Sequence, residues 1–268
     1  MLGVLTSRRW LGALAAAALF AVVAFLLGQW QWHRYEAKAA RADRIEAHYD
    51  APPQPVGQVV GRAPLPLAEE WTRVTAVGRY DVDRSLLVRN RPRDGAYGYE
   101  VLVPLRTREG AVLLVDRGWV PNAESAATRP RVPSPPTEDL TVTGWLRQSE
   151  PALGRDLPPG QLASIDLAEA SRQVGEPLLG AYLVLEVERR ADGSAPERPA
   201  ALEPPDTGLG PHQAYAFQWW AAVVGAFGLV WFGARREHLD ATEQRARVEA
   251  GAAEARPRKV RVWDEEDG

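Results

Sequence analysis

In HQAYAFQW, residues His212, Tyr215, Ala216 and Trp219 fall at i, i+3, i+4 and i+7, so a helix there sets them on one face. A neutral imidazole in such a place is a good axial ligand for haem iron, and haem sites are often built between helices. Tyr215 and Trp219 can stack on a macrocycle beside it. The same residues also fit a plainer arrangement. His212 then caps the helix or bonds to a neighbouring domain, and the two rings anchor among lipid headgroups. A second set, Trp30, His33 and Arg34, lies early in the chain. Arg34 can neutralise a propionate or pair with lipid phosphate. The run from Arg89 to Gly95 crowds three arginines before a turn, and Asp116-Arg117-Gly118-Trp119 predicts an ion pair within the motif at a packed strand end.

The elements that must position these residues are two apolar runs. From Tyr215 to Ala234 there is no charged residue, over the ~20 residues a helix needs to cross a bilayer. Trp219, Trp220 and Trp231 lie near its ends, and Arg235 and Arg236 close it. The other run is Trp10–Gly28, WLGALAAAALFAVVAFLLG, with no polar side chain. It exceeds the ~7–15 apolar residues of a signal peptide, and the Ala37-Lys38-Ala39 cleavage-like site lies well past it, so it reads as an uncleaved anchor. Arg8 and Arg9 before the first span are outnumbered by Arg34, Lys38, Arg41 and Arg44 after it. The second span decides the orientation. No Lys or Arg occurs between Pro199 and Trp220, whereas Arg235, Arg236, Arg245 and Arg247 follow. The positive-inside rule then predicts both termini in the cytoplasm and the middle of the chain outside.

Between the runs, Trp30–Tyr49 is rich in Ala, Glu, Lys and Arg and predicts a helical continuation ended by Pro52, Pro53 and Pro55. Strands are predicted at Thr72–Tyr80, Ser85–Asn90, Tyr99–Arg106, Ala111–Arg117, Leu140–Arg147 and Tyr182–Arg189, with turns at Asp94-Gly95 and Glu109-Gly110. One short helix is predicted at Leu167–Val174, and a Pro-rich loop at Glu124–Asp139. The fold class is therefore an α+β membrane protein. A two-helix transmembrane hairpin, one span near each terminus, carries one antiparallel β-rich extracytoplasmic domain, a sheet or partly closed barrel. The segments are a cytoplasmic N-terminus (1–9), transmembrane helix 1 (10–28), a helical extension (29–50), the β-rich domain (51–210), transmembrane helix 2 (211–234) and a charged cytoplasmic tail (235–268), a short helix and then disorder.

Several chemistries are excluded. The 268 residues include 0 Cys, so there is no thiol nucleophile, thiolate metal site, disulfide or C-x-x-C-H haem attachment. A net charge of −3 gives no footprint for nucleic acid. G-x-S-x-G, H-E-x-x-H and P-loop patterns are missing, and none of the 4 His has a partner at i+4. The chain does not read as an enzyme, and no catalytic residue is assigned.

Four blocks together resemble the Surf1/Shy1 family of cytochrome c oxidase assembly factors. Leu27-Gly28-Gln29-Trp30-Gln31 with Arg34 and Lys38 looks like the family's L-G-x-W-Q-x-x-R-x-x-x-K motif. Arg89-Asn90-Arg91-Pro92, Gly98-Tyr99 and Val101-Leu102-Val103-Pro104-Leu105 resemble its central block. Val115-Asp116-Arg117-Gly118-Trp119-Val120-Pro121 resembles D-R-G-W-[VI]-P, and His212, Tyr215, Ala216, Gln218 and Trp219 match H-x-x-Y-A-x-Q-W. The long charged tail and the Pro-rich loop after Asn122 depart from the pattern.

The resemblance implies a biogenesis factor of the cytoplasmic membrane. It would assist insertion of haem a into oxidase subunit I, or stabilise it there, with a haem A synthase as a further candidate partner and no catalysis of its own. His212 would be the metal ligand to a transiently held haem a. Tyr215 and Trp219 would line the site, and Arg34 and Arg117 would balance propionates. His33 falls at a variable motif position and receives no role. The alternative is a scaffold or accessory subunit that holds oxidase subunits together and never touches haem.

Overall fold

The computed structural model describes residues 2–123 and 128–254. The chain forms two compact units, one joining Met1–Ala37 to Leu209–Gly268 and the other Lys38–Gly208.

The first unit is a pair of long helices. After a short α1 (Leu2–Leu5), α2 runs from Arg8 to His48, and α5 from His212 to Glu254. Each is long and apolar enough to cross a membrane. They meet along a seam of mostly small residues. Trp10, Ala17 and Ala24 recur every seventh position of α2 and are buried, as are Ala216 and Ala234 of α5. Leu19, Leu26, Val224 and Leu229 face outward and are more than half exposed. At one end Trp10 Nε1 donates to Glu237 Oε2 at 3.0 Å, and Arg9 reaches the same oxygen at 3.3 Å. No break follows Ala234: α5 continues through the Ala-, Glu- and Arg-rich segment to Glu254, because these residues are good helix formers. The tail at 235–268, expected as a short helix and then disorder, is therefore helical as far as Glu254, and its remainder lies outside the described residues.

Among the described residues, the second unit holds the end of α2 and eight strands: β1 (Gln54–Pro55), β2 (Arg73–Tyr80), β3 (Leu86–Arg93), β4 (Ala96–Thr107), β5 (Val112–Pro121), β6 (Leu140–Arg147), β7 (Gln161–Leu162) and β8 (Leu178–Arg190). Two helices, α3 (Val56–Val59) and α4 (Leu167–Val174), complete it. The strand order is β1-β2-β6-β8-β5-β4-β3-β7, and β2 also pairs with β4. That extra pairing closes β2, β6, β8, β5 and β4 into a ring.

The expectation of an antiparallel sheet needs correction. Pairs β5–β8, β1–β2 and β3–β7 are parallel, so the sheet is mixed. Local spacing shows hairpins but not long crossovers, and β8 returns beside β5 only after β6 and α4. The ring closes at Gly78, which pairs with Leu140 on one side and Thr107 on the other. A Cβ at Gly78 would lie 2.3 Å from the Arg106 carbonyl oxygen, so only glycine permits the approach.

Alternation along the ring strands divides the core. Val74, Ala76, Val103, Leu105, Leu113, Val115, Leu183 and Leu185 fill one face. Leu102, Leu114, Leu178 and Tyr182 pack on the other with Ala170 and Val174 of α4. Asp94 and Gly95 both have positive φ (49° and 78°), as a two-residue hairpin turn between β3 and β4 requires. Helix α4 starts on the Asp166 side chain, which accepts from Ala168 N, and ends on left-handed Gly175. Ile45, Trp71 and Trp145 form a third cluster, with Tyr49 stacked on Trp145 at 4.2 Å.

Candidate functional site

His212 is the first residue of α5, and its Nδ1 lies 2.8 Å from Gln31 Oε1 on α2. Gln31 stands seven residues beyond Ala24, so it is the next step of the buried series Trp10, Ala17, Ala24. A polar side chain therefore takes the seam position where the partner helix presents a histidine. The roles of the two ring nitrogens follow the tautomer: with Gln31 Oε1 as the acceptor, the hydrogen would lie on Nδ1 and the lone pair on Nε2.

The other residues of this face sit as the helix period dictates. Ala216, one turn on, is wholly buried, Tyr215 is about half exposed at 46%, and Trp219 is partly buried. Arg34 is exposed, with its guanidinium 5.3 Å from the centre of the Trp30 ring.

Sequence reasoning missed an aromatic cluster. Trp32 meets Phe217 edge-on at 6.0 Å and Trp220 at 5.9 Å, and Phe217 meets Trp220 edge-on at 5.7 Å. Trp220 reaches the backbone of Gly28, where a Cβ would stand 2.3 Å from its Nε1. That Nε1 is buried and has no hydrogen-bond partner among the described residues. The signal was present in the sequence, since Gly28 and Gln31 lie three apart on the helix face that carries the seam.

Arg117 belongs to the β unit. Its side chain is fully buried and forks onto Glu188, Nη2 to Oε1 at 2.5 Å and Nε to Oε2 at 3.2 Å. Tyr80 Oη donates to the same carboxylate at 2.8 Å, and Nη2 also donates to the Glu197 carbonyl at 3.1 Å. Burial, followed by the Glu188 charge, pushes the Tyr80 hydroxyl well above its ordinary range. A propionate could reach Arg117 only by displacing Glu188 from the interior, so this geometry does not support the propionate role expected for Arg117. The expected ion pair within the motif is also absent. Adjacent strand residues point to opposite faces, and Asp116 instead accepts from Gly118 N at 3.1 Å.

Buried Asp116 adjoins a second, partly buried network. Arg91 Nη2 donates to Glu150 at 2.6 Å, and its Nε lies 2.8 Å from Glu100 without hydrogen-bond alignment. Burial, opposed by Arg91 and reinforced by Glu150, raises the Glu100 carboxyl to about 7. Burial and then the Glu100 charge hold Asp116 well above the carboxylate range.

Among the described residues no group of three or more His, Cys, Asp or Glu could hold a bare metal ion. A porphyrin iron needs only an axial donor from the protein, and a tethered imidazole with a free Nε2 has the right chemistry.

The SURF1 family model matches residues 18–224, a span that takes in Gly28, Gln31, Arg117 and His212. The chain belongs to the SURF1 family. That family is membrane associated and is generally linked to cytochrome oxidase assembly. An uncharacterised SURF1-like protein of Mycobacterium bovis is 30% identical over 231 residues, 83% of each chain. A SURF1-like protein of Rickettsia bellii is 24% identical over 168 residues, 62% of this chain and 67% of its own. One of Dictyostelium discoideum is 31% identical over 107 residues, 38% of this chain and 40% of its own. The match ends within α5, so the helix beyond residue 224 lies outside the family region.

Proposed function

We propose that this SURF1-family protein is an oxidase biogenesis factor of the cytoplasmic membrane that presents His212 as a ligand to haem a bound for oxidase subunit I. One observation carries the reading: the family's blocks at the end of the first apolar run and the start of the second meet in a hydrogen bond, Gln31 to His212. Bound there, haem a would supply an iron that takes a donor from the protein. His212 gives the donor atom. Tyr215 and Trp219, on the same helix face, offer aromatic surface to the macrocycle, and the exposed Arg34 offers a cation to a propionate. The β unit faces outward and both termini face the cytoplasm, as the arginines after the second span predict. A haem A synthase is a fitting source of the cargo.

The test is the haem a content of oxidase in cells carrying His212→Ala in place of the native protein. A fall to the level of a deletion strain, with the variant present at native amount, supports the reading. Fully loaded oxidase would favour the scaffold, in which the histidine only locks the helix pair.

A further inference from the structure

We propose that Gln31 is the positioning residue of His212: its side-chain oxygen holds the hydrogen on Nδ1 and so leaves Nε2, on the far side of the ring, as the free donor atom. The inference rests on the haem-ligand reading of His212 for its purpose, but not for its geometry.

Three observations carry it. The contact is a hydrogen bond of ordinary length, 2.8 Å, between side chains 181 positions apart in sequence. Gln31 occupies the seam position at which Trp10, Ala17 and Ala24 are buried, so its side chain is directed at α5 by the helix repeat rather than by chance of rotamer. The seam is also held tightly beside it. Trp220 lies against Gly28, one turn from Gln31, where a single added methyl group would clash. The two helices therefore have little freedom to slide, and the imidazole inherits that rigidity. Which ring nitrogen bears the hydrogen is set by the bond that the other nitrogen makes. A polar partner on the opposite helix is the arrangement that holds a ligand histidine in one tautomer and one orientation.

The experiment uses the full chain in detergent, labelled with 15N at its 4 histidines, with the His212 signals assigned by loss in His212→Ala. At alkaline pH, where the ring is neutral, the native protein should show a protonated Nδ1 and a bare Nε2. Gln31→Leu should lose that bias, and Gln31→Glu, whose carboxylate still accepts, should keep it. When the proteins are loaded with haem a, Gln31→Leu should bind about 10–100-fold more weakly. Gln31→Glu should bind well with a lowered midpoint potential, because a carboxylate partner makes the imidazole a stronger donor. A bare Nδ1 in the native protein, or a tautomer unchanged in Gln31→Leu, would overturn the inference. If Gln31→Leu fails to pair its helices, the midpoint potential of Gln31→Glu decides, and a value equal to the native one overturns it. Failure of the underlying reading looks different: His212→Ala would hold haem a as well as the native protein, while the tautomer result would still stand.

Discussion

Arg117 and Glu188 form a forked ion pair with side-chain exposures of 0% and 1%, tying β5 to β8 inside the ring. Breaking one half of such a pair strands the other charge away from water. Arg117→Met is expected to destabilise the protein by about 3–5 kcal/mol. The double variant Arg117→Met/Glu188→Leu should recover part of that loss, because two apolar side chains leave no buried charge. Denaturation midpoints of the native, single and double variants measure this. A double variant less stable than either single would mean that the pair itself, and not its desolvation, dominates.

Gly28 is the point at which α2 admits the Trp220 ring. Gly28→Val should cost about 1–3 kcal/mol by overpacking and separate the helices locally. The indole N–H resonance of Trp220, assigned by its loss in Trp220→Phe, should shift and exchange faster with water. An unchanged resonance in a stable Gly28→Val protein would contradict the close packing.

Gly78 closes the five-stranded ring. Gly78→Val brings a side chain against the Arg106 carbonyl, which is backbone and cannot swing aside. The bonds flanking the closure are Arg108 N to Val77 O at 3.0 Å and Asp81 N to Pro104 O at 2.8 Å. Hydrogen exchange at the amides of Arg108 and Asp81 should accelerate in the variant, while amides between β6 and β8 stay protected. Uniform loss of protection would show that the ring opens only by global unfolding.

Glu100 makes stability depend on pH with a defined sign. Its carboxyl is raised to about 7 in the folded chain, so the folded state holds the proton more tightly than the unfolded state does. This contribution is complete at pH below the ordinary carboxylate value, declines as pH rises, and is gone above about 7. The slope reaches at most about 1.4 kcal/mol per pH unit. Subtracting the Glu100→Gln profile from the native one reports the titration of Glu100 together with its pull on Asp116. A difference that is flat between pH 5 and pH 7, roughly the window bracketed by the two pKa values, would rule it out.

Both apolar helices, six of the eight strands, the Asp94-Gly95 turn and α4 could be read from the sequence, because each is written in a local period or a local turn chemistry. The two-residue strands β1 and β7 carry no period. The parallel β5–β8 pair depends on a crossover whose partner lies far along the chain. The Asp116–Arg117 pairing failed for a simple reason: strand neighbours diverge, and Glu188, 71 positions away, is the true partner of Arg117. At the candidate site His212 was legible from its place at the start of a span. Gln31 was hidden among motif letters, although counting by seven from Trp10 reaches it.

The measurement that bears most directly on His212 is the absorbance spectrum of the detergent-purified protein from cells that make haem A, taken beside His212→Ala. A haem a band in the native protein that is absent from a folded His212→Ala establishes the ligand. A band of equal strength in both would contradict it. No band in either, with oxidase subunits co-purifying, would contradict haem carriage itself and leave a scaffold.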